Sequence, residues 1–98
     1  MNTPTISNCI EIVAEATGLT ADELVSRTRR RAIARPRQIA MWLAHRFTSA
    51  STTQISIAVG IPHDRKSVLH GCRKVEELCE TDPGFRTFCN SLSALVTA

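Results

Sequence analysis

At 98 residues the chain has the length of one domain, which excludes a second independently folding unit, and with 43% apolar residues it can bury a modest core. Aromatic side chains are limited to Trp42, Phe47, Phe85 and Phe88, so aliphatic helix packing has to supply most of the stability. The formal charge of +3 is unevenly laid out: residues 24–63 hold no carboxylate, and from Arg27 to Lys74 eleven Lys and Arg stand against Asp64 alone, which points to a polyanionic partner.

In chain order, Thr3 before Pro4 reads as an N-cap with proline in the first turn, and Ile6, Ile10, Val13 and Thr17 recur at helical spacing until Gly18, predicting a first helix over residues 4–17. The run from Thr20 to Glu23 matches a capping box and opens a short second helix carrying Leu24 and Val25 and ending near Arg27. Residues 27–31 are too charged for core, and Pro36 disfavours a helical Arg35, so the third helix is expected to begin close to Pro36. Its stripe of Ile39, Trp42, Leu43 and Phe47 suits a central helix.

Beyond a polar stretch at 48–53, Ile55, Ala58 and Val59 form a short helix that Gly60 ends, after which Ile61 and Pro62 turn the chain. Asp64 then caps a long helix to about Glu80, with Val68, Leu69, Cys72, Val75 and Cys79 as its apolar side and Arg65, Lys66, Arg73 and Lys74 on the other. Asp82 before Pro83 repeats the cap-plus-proline signal for a last helix packed through Phe85, Phe88, Leu92, Leu95 and Val96. The expected fold is all-α, with about six helices in one domain spanning residues 1–98 and no alternating strand pattern.

Residues 51–80 read as short helix, glycine turn and longer helix, the order of a helix-turn-helix. A recognition helix presents its first residues to base edges in the major groove, so His63, Asp64, Arg65, Lys66 and Ser67 are the candidate readers. Arg65 can donate to guanine O6 and N7, and Asp64 can accept from cytosine N4 or simply cap the helix. Ser67 and Lys66 suit phosphate positioning, and His63 suits an exposed turn. The basic segment at about 27–35, with Arg29, Arg30 and Arg31 in an extended connection, has the character of a minor-groove arm or phosphate clamp.

Residues 29–44 (RRRAIARPRQIAMWLA) closely resemble the basic loop and following helix of the C-terminal DNA-binding domain, domain IV, of the bacterial replication initiator DnaA, and residues 68–75 (VLHGCRKV) continue the likeness. The resemblance spans nearly the whole chain and implies that family's Trp-repressor-like helix-turn-helix fold. It places Arg29 where the family inserts an arginine into the minor groove, residues 64–67 on the major-groove reading turn, and Arg35, Arg37 and Lys74 at backbone contacts. The family's usual turn, Gly-Gly-Arg-Asp-His-Thr-Thr-Val, is here GIPHDRKSV over residues 60–68, one residue longer and with Arg65 and Lys66 in place of His and Thr. No G-x-x-x-x-G-K-[ST] loop occurs, so the expectation is a stand-alone small protein without the initiator's ATPase module.

The sequence thus predicts a double-stranded-DNA reader, most simply a transcriptional regulator with altered specificity, and not an enzyme, because no nucleophile, base or metal cage is spaced for catalysis. An adaptor that contacts a transcription or replication protein, such as the initiator machinery, is the alternative, and RNA binding is weaker because no aromatic platform interleaves the basic residues. Cys9, Cys72, Cys79 and Cys89 form no C-x-x-C pair and His45, His63 and His70 complete no zinc spacing, so reduced thiols and no cofactor are expected. Only short apolar runs occur and MNTPTISN lacks a basic start followed by a hydrophobic block, predicting no membrane span or signal peptide and a cytoplasmic, nucleoid-associated location.

Overall fold

The computed structural model describes residues 4–26 and 30–98. Among these residues six helices follow one another: α1 (Ile6–Thr17), α2 (Ala21–Leu24), α3 (Arg31–Phe47), α4 (Thr52–Ala58), α5 (Arg65–Thr81) and α6 (Pro83–Thr97). The all-helical expectation holds, and most helix ends are set by local hydrogen bonds. The Thr20 hydroxyl accepts from Glu23 N–H while the Glu23 carboxylate accepts from Thr20 N–H, a complete capping box. Asp82 accepts from Phe85 N–H at 3.1 Å and Pro83 occupies the first turn of α6. Ser51 and Gln54 form a second capping box at the start of α4, a pairing that the S-x-x-Q spacing in the sequence signals.

Three boundaries differ from expectation, one being the end of α2, which stops at Leu24 with Val25 as its C-cap rather than running to near Arg27. Thr5, not Thr3, caps α1, its hydroxyl accepting from Asn8 N–H at 3.1 Å, so the helix starts after Pro4. Thr3 itself lies outside the described residues. The third helix starts at Arg31, five residues ahead of Pro36, which therefore sits inside it. Proline there removes one hydrogen bond, to the carbonyl of Ala32, a residue exposed to solvent that water can satisfy. Ile33 supplies the compensation: at 1% exposure it belongs to the core, and burying such a side chain contributes about 1.5–3 kcal/mol, comparable to the roughly 3 kcal/mol cost of an interior proline.

α3 is the axis of the molecule, packing against each of the other five helices and burying Ile33, Ile39, Ala40, Met41, Trp42, Leu43 and Ala44. Around it Cys9, Ile10 and Val13 of α1, Ile55 of α4, Val68, Cys72 and Val75 of α5, and Cys89, Leu92 and Val96 of α6 complete one core. Two leucines expected in that core are outside it: Leu69 is 41% and Leu95 59% exposed. Both lie on helices whose buried faces are filled by neighbours a residue or more away, Val68 and Cys72 on α5, Leu92 and Val96 on α6.

α5 lies close against α3 at Gly71, where a Cβ would stand 2.8 Å from Met41 Cε and 3.2 Å from Gln38 Cγ. The missing side chain lets the two long helices touch and so places the first turns of α5 beside the first half of α3. The four cysteines are free thiols, and burial pushes Cys9 and Cys72 up to about 11 and Cys89 up to about 12, which keeps these three protonated and unreactive. No helix among the described residues is long and apolar enough to cross a membrane.

Candidate nucleic-acid interface

The corner between α4 and α5 is built from backbone bonds. Val59 ends α4, Gly60 takes φ of 82°, and the N–H groups of Gly60 and Ile61 donate back to the carbonyls of Ile57 and Ser56 at 3.2 and 2.9 Å. This is a Schellman closure, and it satisfies carbonyls that the helix end would otherwise leave bare. Glycine is required twice over here, because a Cβ would also fall 1.7 Å from the carbonyl oxygen of Val25. The residues after it form a reverse turn in which Asp64 N–H donates to the Ile61 carbonyl at 3.2 Å, with Pro62 in the second position and His63 in the third at φ of 68°. Proline followed by a left-handed residue is the pattern of a type II turn, and it holds the exposed His63 at the tip of the corner.

Asp64 then opens α5. One carboxylate oxygen accepts from Ser67 N–H at 3.1 Å and the other from the Ser67 hydroxyl at 2.7 Å, so both oxygens are turned onto the helix's own first turn. These two bonds hold the carboxyl below its usual pKa of 3.8. Of the two sequence expectations for Asp64, the structure displays the cap. Arg65 and Lys66 are exposed, as are Leu69, His70 and Arg73 further along, while Ser67 and Lys74 are half-buried. The inward face carries Val68, Gly71, Cys72 and Val75. Arg65 and Lys66 therefore have no part in the core.

On α3 the arginines divide. Arg31 is exposed at the first helical position, and Arg30, also exposed, is the N-cap residue in an extended conformation (φ −59°, ψ 136°). The expected non-helical arm over 27–35 is thus corrected in part: Arg31 and Arg35 are helical, because burial of Ile33 draws the chain into α3 early. Arg29, the residue matched to the family's minor-groove arginine, lies outside the described residues, as do Arg27 and Thr28. Arg35 donates to the Gln38 side chain. Arg37 reaches back to the end of α2, its Nε donating to the Leu24 carbonyl at 2.9 Å and its guanidinium also to the Ser26 carbonyl. Burial lowers the Arg37 pKa from its ordinary value, yet guanidinium stays charged in proteins, and it faces the negative end of α2.

α3 and the corner meet across a groove of about 590 Å3, bounded on one side by Ala34, Arg37 and Gln38 and on the other by His63, Asp64, Ser67 and His70. The arginine-bearing half of α3 and the start of α5 therefore border one feature of the surface. Among the described residues no group of three or more His, Cys, Asp or Glu is placed to hold a metal ion. Two aspects of the site escaped sequence reasoning. The tie from Arg37 to α2 spans more than ten residues of chain and has no local signature. Leu69 falls at the edge of an apolar stripe, where periodicity alone assigns it inward.

This geometry agrees with comparisons to known proteins. A family model described as the bacterial dnaA protein helix-turn-helix matches residues 6–75. The chain is 42% identical over 94 residues to the chromosomal replication initiator protein DnaA of Lachnoclostridium phytofermentans, covering 96% of this chain and 20% of that one. It is 34% identical over 92 residues to the DnaA of Bacteroides fragilis, covering 94% and 19%. A crystal structure of a DNA replication initiation factor superposes with a TM-score of 0.81 at 27% identity, over 93% of this chain and 27% of that chain. The chain spans about a fifth of the length of these curated relatives. With its Schellman corner, its capped α5 and α3 laid alongside, the chain belongs to the DnaA helix-turn-helix family.

Proposed function

We propose that this protein binds double-stranded DNA, with the start of α5 in the major groove and the arginines ahead of and at the start of α3 on the adjacent minor groove or phosphates. The observation that supports this most is the outward face of α5: Arg65, Lys66 and Arg73 are all exposed, on a helix whose opposite side is spent on the core. Residues 24–63 contain no carboxylate, and Asp64, the one acid among the candidate site residues, turns both its oxygens onto Ser67. The relatives are chromosomal replication initiator proteins, and the superposed structure is that of a DNA replication initiation factor, which agrees with a nucleic-acid role.

In this reading Arg65 is the base reader, donating to guanine, and Lys66, Ser67, Arg35 and Lys74 fix the register on phosphates. His63 approaches the backbone from the tip of the turn. Asp64 and Arg37 act through the fold, the first by holding the start of α5 and the second by holding α2 against α3. Arg29, Arg30 and Arg31 follow the minor groove or the phosphates beside it. The activity is binding alone, as expected of a transcriptional regulator in the cytoplasm, since these 98 residues hold no nucleotide-binding glycine loop. Arg65 and Lys66 at the reading turn favour a site different from that of family members with His and Thr there.

Selection of preferred duplexes from a random pool, run with the native chain and Arg65→Ala in parallel, tests the proposal. The native chain should enrich one site, and Arg65→Ala should lose preference at one base pair, by about 1–3 kcal/mol. Lys66→Ala should weaken all duplexes alike and reduce the slope of log affinity against log salt by roughly 0.9. Equal affinity for all duplexes at moderate salt would refute sequence-specific binding.

A further inference from the structure

The charged face of α5 includes one apolar residue that the core does not use. Lys66, Leu69 and Arg73 are three and four residues apart and so share one side of the helix, with Arg65 and His70 flanking them, and all five are exposed. Val68, Gly71, Cys72 and Val75 occupy the side that packs inward. Leu69 is 41% exposed, and of the large hydrophobic side chains exposed among the described residues it alone lies on α5, Ile57 and Leu95 being on α4 and α6. A single leucine on a solvated surface carries little information. This one stands within the set of side chains that the proposed function turns toward the major groove.

The one apolar group that projects from the floor of that groove is the C5 methyl of thymine; most other base-edge groups there are hydrogen-bond donors and acceptors. Leucine makes no hydrogen bond, so the methyl is the group it can meet without leaving a polar atom desolvated. We infer that Leu69 is a specificity residue that reads a thymine methyl in the target duplex. The inference rests on the DNA-binding reading above and adds to it the base that a particular residue selects. Leu69 follows Arg65 by four residues, about 6 Å along the helix axis. Base pairs are stacked about 3.4 Å apart, so the thymine lies within roughly two base-pair steps of the base read by Arg65.

The experiment uses the duplex enriched from the random pool and replaces its thymines singly with deoxyuridine, which lacks only the methyl. For the native chain, one replacement within about two steps of the position sensitive to Arg65→Ala should weaken binding about fourfold, the effect of one methyl-sized group returned to water. Leu69→Ala should bind the thymine and uracil duplexes equally, while Leu69→Met, which keeps an apolar tip, should retain the discrimination. Both substitutions are at an exposed position, and an unchanged helical circular dichroism spectrum verifies that the variants are folded. If no thymine is sensitive, or the uracil penalty survives in Leu69→Ala, the inference is overturned while DNA binding stands. If the pool yields no preferred duplex, sequence-specific reading fails and this inference falls with it.

Discussion

Substituting Gly60 with alanine tests whether the corner before α5 is as tightly determined as its geometry implies. Two costs fall on one methyl group. An alanine held at φ of 82° sits in the left-handed region, which costs roughly 1–2 kcal/mol. Its Cβ would also lie 1.7 Å from the Val25 carbonyl oxygen and 2.8 Å from the Val25 carbonyl carbon, so the corner and the end of α2 must separate. These are backbone atoms, and forced repacking of this kind costs about 1–3 kcal/mol more. The sum, about 2–5 kcal/mol, is a large part of the 5–15 kcal/mol that holds an ordinary domain together. For a domain of this size it should lower the melting temperature by on the order of 10–30 °C. Gly18→Ala is the control: its φ of 73° is similar but nothing lies within 4 Å of the added Cβ, so only the conformational cost applies, roughly 5–10 °C. Thermal unfolding followed by far-ultraviolet circular dichroism compares the two directly. Equal melting temperatures for Gly60→Ala and Gly18→Ala would refute the claim that contact with Val25 determines the corner.

Two further outcomes follow from the hydrogen bonds around the site. Arg37→Gln should remove at least one charged bond to the α2 carbonyls and destabilise the fold by about 1–2 kcal/mol, read as a lower urea midpoint at unchanged slope, and an unmoved midpoint would show that Arg37 does not anchor α2. Asp64→Ala should lower the melting temperature near neutral pH, where the carboxylate caps α5. Because the folded pKa is depressed, that contribution is present above the ordinary value of 3.8 and is lost as pH falls below it, so the two proteins should converge in acid; a gap independent of pH would remove the ionised cap from the account.

The cap residues themselves were read in sequence at Thr20, Asp64 and Asp82, and Gly18 and Gly60 were read as stops, because a cap is a contact between residues three apart and needs no knowledge of the rest of the chain. The basic character of the site was equally plain, since charge is carried by composition wherever the chain runs. The family resemblance was carried by contiguous residues, 29–44 and 68–75, and the comparisons support it.

Tertiary structure decided the rest. Pro36 argued locally for a late start to α3, and burial of Ile33, a property of what surrounds it, moved the start to Arg31. Arg37 looked like the other arginines until the end of α2 came within hydrogen-bond reach, and Leu69 looked like core until Gly71 drew α5 onto α3 along a line that leaves it outside. Helix ends answer to neighbours along the chain, whereas the role of a residue on the border between two faces is set by which helices arrive beside it. That arrival depends on close packing among residues far apart in sequence, and no local pattern contains it.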